Sequence, residues 1–293
     1  MTRLLPFHPD RVLVGKAEKY IKDPGLLLEN REKGIECLIR AVKTGDIELR
    51  KRIIILLGSF ACDEVIQPLY EIMTDPDEPD ELREQAAVNI NVLGPFLENP
   101  LIHAGRLAAI VADGSHEDRV LAILAIGWEG NLMAVECLKV CLDDPSDEIS
   151  EMAVFSLCNI GESSVLDLLA ERMQRASLEE KRSIIYSIWR FGDRSEDVLN
   201  IYRHELEQGD GRLKMDLLLV IGELEKMELH TDIYVKYLDD DNPMIRAIAL
   251  EKVGLAGGIS REMAISFLDD PSMEVKRAAM QILQREKNEK KIF

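Results

Sequence analysis

Residues 242–258 read NPMIRAIALEKVGLAGG, and a pattern of the same kind recurs along the 293 residues of the chain. The turn that leads into this stretch, LDDDNP at 238–243, has close copies in LDDPS at 142–146, LDDPS at 268–272 and TDPD at 74–77. When the segments after each turn are aligned on their apolar and glycine positions, eight copies coincide at steps of 30 to 36 residues. A period of this length is typical of stacked helical hairpins. The copies begin at Leu49, Leu82, Asp118, Ile149, Glu180, Leu213, Ile245 and Val275.

Each copy has the apolar pattern of an amphipathic helix. In the seventh copy Ile245, Ala249 and Val253 are spaced so that, at about 100° per residue, they share one helix face. A second amphipathic stretch precedes each turn, such as EVIQPLYEIM at 64–73. Seven copies carry glycine at the tenth or thirteenth position, which we interpret as a helix C-cap. These glycines are Gly58, Gly94, Gly127, Gly161, Gly192, Gly222 and Gly254.

The repeated unit of helix, Asp-Pro turn, helix and glycine resembles the HEAT-repeat family, in particular the short PBS-lyase HEAT-like form. The resemblance covers roughly residues 31–285, and 242–258 is its clearest instance. It implies an all-α fold: an α-solenoid forming a right-handed superhelix of about eight hairpins. We expect residues 1–30 to cap the array with a helix over 10–21, residues 31–285 to form the array, and residues 286–293 to form a charged tail.

The second position of the copies is basic in seven of eight cases. A cation in the first turn of a helix opposes the helix dipole, so its recurrence requires an acidic partner nearby. We predict a partner in the turn six residues earlier, Asp240 for Arg246 and Asp270 for Lys276. The resemblance implies a structural ladder of such pairs, with Ser150 as a missing rung. The basic members are Arg50, Arg83, Arg119, Lys181, Lys214, Arg246 and Lys276.

Acidic residues outnumber basic ones, with 54 Asp and Glu against 36 Lys and Arg and a formal net charge of −18. That sign disfavours binding to a nucleic-acid backbone, which draws on basic surface, and suits a basic or amphipathic protein segment. The longest apolar run, 120–128, is too short to span a bilayer, and the first residues lack the order of a signal peptide. We therefore expect a cytoplasmic protein whose partner is another protein, not nucleic acid or a membrane.

The five cysteines fit no usual zinc spacing. Cys137 and Cys141 lie four apart and could hold a metal together with Cys158 and a fourth ligand. However, Cys37 aligns with Cys137 and Ala41 aligns with Cys141, which favours small side chains packed between helices.

The sequence also lacks the usual catalytic signatures. Deoxyhypusine hydroxylase resembles this chain in length and repeat type, and that resemblance would place His-Glu pairs at the third and fourth positions of second helices. No copy has one there, and the pairs at His116 and His204 are out of register with each other. No glycine-rich phosphate loop, Gly-x-Ser-x-Gly or His-Glu-x-x-His stretch occurs. We predict no catalytic residue, no metal and no cofactor.

The seventh position lies about 140° from the centre of the apolar face, where the usual short HEAT pattern is polar. In this chain six successive copies are apolar or aromatic there, and the eleventh position adds Val92 and Trp128. Since the second helices of a HEAT stack line its concave side, the resemblance implies an apolar strip along an inner groove. The seventh-position residues are Ile55, Val88, Leu124, Phe155, Tyr186 and Leu219.

Three interpretations of this strip stay open at this point. The stack buries it between second helices, or it binds a small molecule, or it receives a helix or extended segment of a partner protein. In the last case an acidic rim of Glu84, Glu151, Asp216 and Glu223 flanks a strip centred on Trp128, Phe155 and Tyr186.

The function that we predict is a non-enzymatic interaction scaffold or adaptor. The alternative is a chromophore- or cofactor-handling subunit, lyase or chaperone-like, resembling the phycobilin lyases.

Overall fold

The computed structural model describes residues 9–222 and 230–289, and in these ranges every regular element is a helix. The chain divides into two compact units, residues 1–162 and 163–293. The first contains α1 Pro9–Lys22, α2 Pro24–Glu29, α3 Arg31–Ala41, α4 Ile47–Leu57, α5 Ile66–Met73, α6 Asp80–Leu93, α7 Pro100–Asp113, α8 His116–Ile126, α9 Leu132–Cys141 and α10 Asp147–Ile160. The second contains α11 Ser163–Met173, α12 Leu178–Ile188, α13 Ser195–Gln208, α14 Gly211–Ile221, α15 Thr231–Val235, α16 Pro243–Leu255, α17 Arg261–Ser266 and α18 Met273–Glu289.

The first unit stacks four helical hairpins. Its first helices are α3, α5, α7 and α9, and each packs against the second helix that follows it, α4, α6, α8 or α10. The second helices also pack on one another in chain order, and α7 packs on α9 in the layer of first helices. The predicted N-terminal helix is confirmed as α1, which packs with α2 against α3.

The second unit repeats this plan. First helices α11, α13, α15 and α17 pack against second helices α12, α14, α16 and α18, and the second helices again pack in order. The predicted all-α, α-solenoid fold class is confirmed. The right-handed superhelix and the three predicted segment boundaries stay predictions.

The repeated aspartate makes the same turn in each hairpin that carries it. Its Oδ1 accepts a hydrogen bond from the backbone N–H two residues later: Asp144 from Ser146 at 3.0 Å, Asp240 from Asn242 at 2.9 Å and Asp270 from Ser272 at 2.8 Å. Aspartate stabilises turns in this way because its short side chain reaches its own backbone.

The basic residues of the ladder join consecutive hairpins. In the first unit the Arg119 Nε donates to the backbone oxygen of Val111 in its own hairpin at 2.9 Å. Its Nη2 donates to Asp144 of the next hairpin at 2.5 Å. The same inter-hairpin arrangement holds for Arg50 with Glu78, Arg83 with Asp118, Lys181 with Glu205 and Arg246 with Asp270.

This arrangement corrects the expected pairing within a turn. Arg246 Nη1 donates to the backbone oxygen of Asp240 at 2.8 Å, whereas its carboxylate partner is Asp270, at 2.9 and 3.0 Å. The Asp240 carboxylate is turned toward its own backbone by the bond from Asn242. Lys214 and Lys276 form no ion pair among the described residues.

Five of the predicted glycines are helix C-caps, namely Gly58, Gly94, Gly127, Gly161 and Gly222. Gly161 ends α10 with φ +74°, whereas Gly58 and Gly222 have φ of −63° and −69°, which any residue adopts. At Gly58 and Gly127 the requirement for glycine is steric, because a Cβ would collide with Asn89 or Ser156, which lie on the next second helix. Gly222 meets Lys252 and Gly254 meets Ile282 in the same way. The tenth-position glycines therefore let consecutive second helices approach closely.

Candidate protein-interaction surface

In the first unit the predicted strip is solvent-accessible on two of its helices. Ile55 on α4 is 48% exposed, and Val88 and Val92 on α6 are 40% and 52% exposed. Leu124 on α8 and Phe155 on α10 are half-buried. Because α4, α6, α8 and α10 pack in order, these five residues form one apolar column on the outer side of the second helices. We call this column the apolar strip of the first unit.

Trp128, expected at the centre of the strip, lies in the core and is 4% exposed. Its indole packs against the backbone of Gly94, where a Cβ would collide with it. Because the residue at the end of α6 is glycine, there is space for the indole. Trp128 is therefore buried, although it has the same position in the repeat as Val92. Trp128 is not available as a surface anchor in this arrangement.

Exposed carboxylates accompany the apolar strip. Glu84 on α6 and Glu151 on α10 are exposed, and their place on a rim stays a prediction. Sequence reasoning missed a second row, in which each second helix of the first unit carries an exposed glutamate in its first turn. The helix dipole favours acidic groups there. The sequence pattern that could have revealed this row is a glutamate directly before each of the first five aligned copies. The row consists of Glu48, Glu81, Glu117 and Glu148.

Two residues of this row have basic neighbours on adjacent second helices. Lys51 Nζ lies 3.3 Å from Glu81, and His116 Nε2 lies 2.9 Å from Glu148. The pKa of Glu117 is lowered, mainly by a backbone hydrogen bond at the start of α8. The lowered pKa keeps Glu117 ionised near neutral pH. The carboxylates of the row give this side of the unit a negative potential.

In the second unit Tyr186 on α12 and Leu219 on α14 are 42% and 43% exposed. The Tyr186 hydroxyl donates to Asp216 Oδ1 at 2.8 Å, and Arg182 Nε donates to Asp216 Oδ2 at 2.6 Å. Burial and the bond to Asp216 raise the pKa of Tyr186. Asp216 is itself buried, so it joins two helices and is not an exposed rim residue. Glu223 lies outside the described residues.

The cysteines are free thiols, and Cys141 and Cys158 are buried. Cys137 donates to the backbone oxygen of Ala134 at 3.1 Å, and burial raises its pKa to about 11. In the described ranges no group of three or more His, Cys, Asp and Glu side chains could hold a metal ion. No described helix is both long and apolar enough to cross a membrane.

No protein-family model and no curated protein matches this chain. Among solved structures, it is similar to a mutant of Kap121p, a HEAT-type α-solenoid, with a TM-score of 0.55 and 12% sequence identity. The match covers 93% of this chain but 35% of the Kap121p chain, so this chain spans about a third of that length. At this identity the likeness concerns the fold alone.

A second solved structure, the complex of CpcE and CpcF of phycocyanin lyase from Nostoc sp. PCC7120, aligns with a TM-score of 0.31 and 17% identity. That alignment covers 86% of this chain and 87% of the other. The superposition is too weak to support an inference about function.

Proposed function

We propose that this chain is a non-enzymatic interaction scaffold that binds a segment of a partner protein along the apolar strip of the first unit. One observation carries the proposal: apolar side chains that are exposed on α4 and α6 and half-buried on α8 and α10 recur at the same position of consecutive second helices, beside a row of exposed glutamates. Single exposed apolar residues are normal in soluble proteins, but a contiguous column with a polar margin is typical of a binding site. In the second unit Tyr186 and Leu219 are the corresponding proposed contacts.

The geometry of the strip restricts the partner. Packed helices lie about 8–10 Å apart, and an extended chain in the polyproline II conformation advances about 3.1 Å per residue with about three residues per turn. An extended segment that crosses the second helices would therefore meet a new helix about every third residue. Apolar side chains with that period would contact Val88, Leu124 and Phe155. Interspersed Lys or Arg would face Glu84, Glu151 and the first-turn glutamates, and such charges speed association and select the partner.

The finer assignments belong to the same proposal. The repeats are of the short PBS-lyase HEAT-like form, the partner is a basic or amphipathic protein segment, and nucleic acid is disfavoured by the charge of −18. Free thiols at all five cysteines are usual in a reducing compartment, which supports a cytoplasmic protein.

The test is a paired substitution on the strip. We expect Val88→Asp with Val92→Asp to abolish capture of the partner, because each exposed apolar contact becomes a charge facing an apolar or acidic neighbour. Both side chains are at least 40% exposed, so the melting temperature should change little. Partner capture is measured by affinity purification from the native host, and folding by circular dichroism.

Leu28→Asp is the matched control, since Leu28 is 69% exposed on α2, away from the strip. A photo-crosslinking residue at Val92 should attach to the same partner that wild type captures, and one at Glu32 on α3 should not. If the double variant retains the partner while remaining folded, the strip is not the binding site. A large drop in melting temperature would mean instead that these residues belong to the core.

A further inference from the structure

The outer face of α7 differs from the other first helices of the first unit. On α3 the exposed residues are all charged, and on α5 they are a glutamine and a glutamate. On α7 the exposed residues include Leu101 at 63% and Ile102 at 69%, followed by Gly105, Ala109 and Ala112. A helix that faces water ordinarily presents polar residues there, so the sequence of α7 indicates a covered face.

The neighbouring helix α9 extends the same face. Leu132, Met133 and Val140 are 59%, 58% and 75% exposed, and α9 packs beside α7. These side chains are more exposed than those of the apolar strip, and they belong to first helices, on the opposite side of the hairpins. We call this surface the α7–α9 face.

The α7–α9 face is electrically neutral in a strongly acidic chain. Helix α7 contains one arginine and one aspartate, Arg106 and Asp113, and helix α9 contains one glutamate and one lysine, Glu136 and Lys139. Glu136 and Lys139 pair with each other at 2.8 Å. Arg106 lies over the ring of Tyr70, 3.9 Å from its centroid, and donates to Gln67 at 2.8 Å. Its charge is therefore held toward α5 and leaves the apolar residues uncovered.

We propose that the α7–α9 face binds the same face of a second copy of this chain. A basic partner gains nothing from a neutral surface and would favour the glutamate row. Two copies that each carry a charge of −18 repel each other elsewhere, and a neutral apolar face brings no further acidic excess into their contact. A two-fold contact needs one self-complementary patch, and an apolar patch with balanced charge meets that need.

The shape of the face suits helix packing between the copies. A Cβ built on Gly105 meets no atom within 4 Å, so a neighbouring helix has room to approach. Ile102, Met133 and Val140 provide ridges on either side. Two helices of this length and spacing offer on the order of 400 Å² per copy, at the low end for specific interfaces, so the dimer should be weak.

The experiment is sedimentation velocity on the full chain over roughly 1 to 200 µM, the range in which weak dimers dissociate. We expect a reversible monomer–dimer equilibrium. Ile102→Asp or Met133→Asp should weaken dimerisation at least about 100-fold, because each dimer would then bury two unpaired carboxylates. Leu28→Asp, which changes an equally exposed leucine on α2, should leave the equilibrium unchanged.

Two results would overturn the proposal: a wild-type chain that stays monomeric throughout this range, or a dimer that both α7–α9 variants leave intact. The dependence on salt concentration distinguishes binding at the α7–α9 face from binding at the apolar strip. Raising the salt concentration screens repulsion between acidic copies and should strengthen the dimer, whereas it should weaken binding of a basic partner. The strip variant Val88→Asp with Val92→Asp should still dimerise, so failure of either proposal leaves the other testable.

Discussion

At the residue scale, the arginine in the first turn of the second helices links consecutive hairpins. Its guanidinium donates to a backbone oxygen of its own hairpin and to a carboxylate of the next hairpin. Arg83 is 7% exposed and Glu205 is 5% exposed at the side chain, so these pairs are shielded from solvent. Exposed surface pairs contribute only about 0.2–1 kcal/mol, and breaking one of these shielded pairs should cost more.

Arg246→Ala tests the ladder. It removes charged hydrogen bonds to Asp270 and two bonds to backbone oxygens. We expect the free energy of unfolding to fall by about 2–3 kcal/mol, as for other hydrogen bonds to charged groups. Arg203→Ala is the control, because Arg203 is more exposed and pairs with Glu196 at 3.3 Å, and it should cost less than about 1 kcal/mol. If urea denaturation shows that the two variants lose equal free energy of unfolding, the inter-hairpin pair stabilises the protein no more than the exposed pair does.

The same pair gives a dependence on pH. The hydrogen bond from Arg246 lowers the pKa of Asp270 below its ordinary value. A carboxylate with a lowered pKa in the folded state stabilises the protein above its unfolded pKa of about 3.9, and this stabilisation is lost as the pH falls through the folded value. The stability difference between wild type and Arg246→Ala should therefore shrink as the pH falls below about 4.

Ser156 and Gly127 make a second residue-scale test. The Ser156 hydroxyl is fully buried and has no hydrogen-bond partner among the described residues. Ser156→Ala removes an unsatisfied group and should be neutral or stabilise the protein by up to about 1 kcal/mol. Gly127→Ala should destabilise it by about 1–3 kcal/mol, because the new Cβ would lie 2.5 Å from the Ser156 Cβ. Thermal denaturation of both variants measures the contrast, and a destabilised Ser156→Ala would show that the hydroxyl is bonded in solution.

At the element scale, the register of the repeats predicted most of the hairpins, because periodic apolar positions and the Asp-Pro turn are local signals. The helices after the turns at 142–146, 238–243 and 268–272 are α10, α16 and α18, as expected. The N-cap bonds of Asp46 to Leu49 and of Asn242 to Met244 depend on the same local chemistry.

The contacts between elements could not be predicted in the same way. A glycine at the end of a helix looks alike in sequence whether it adopts a positive φ or accepts a close neighbour. Gly161 does the first and Gly127 the second. Likewise Val92 and Trp128 share a position in the repeat, yet one is 52% exposed and the other 4%, because Gly94 provides space for the indole. Such differences depend on contacts between hairpins, and the residue pattern of a single helix does not predict those contacts.

At the scale of the whole molecule, the charge of −18 is distributed unevenly. The second helices of the first unit carry first-turn glutamates, whereas α7 and α9 together are neutral. An acidic protein keeps its copies apart and attracts basic partners. The apolar strip and the α7–α9 face therefore lie in different electrostatic surroundings, which is why salt should affect their binding in opposite directions.

The net charge also predicts how stability depends on salt. Going from about 10 to 150 mM salt shortens the Debye length from about 30 to 8 Å and relieves repulsion among carboxylates. The ladder pairs are shielded and should weaken little. We expect the melting temperature to rise, by roughly 2–4 °C for each kcal/mol of repulsion removed. Calorimetry in NaCl at constant protein concentration measures this, and a falling melting temperature would show that attractive surface pairs dominate.

The inter-hairpin arginine bears on how such a chain can grow. Each guanidinium donates to a backbone oxygen of its own hairpin and to a carboxylate of the next hairpin, which is Asp118 for Arg83 and Asp144 for Arg119. Every hairpin that takes part therefore presents a carboxylate to the preceding hairpin and an arginine to the following hairpin. Duplication or loss of one whole hairpin regenerates the junction, whereas a shift by part of a hairpin leaves an arginine without an acid. We therefore expect an array of this kind to gain or lose length by gene segments that encode one whole hairpin.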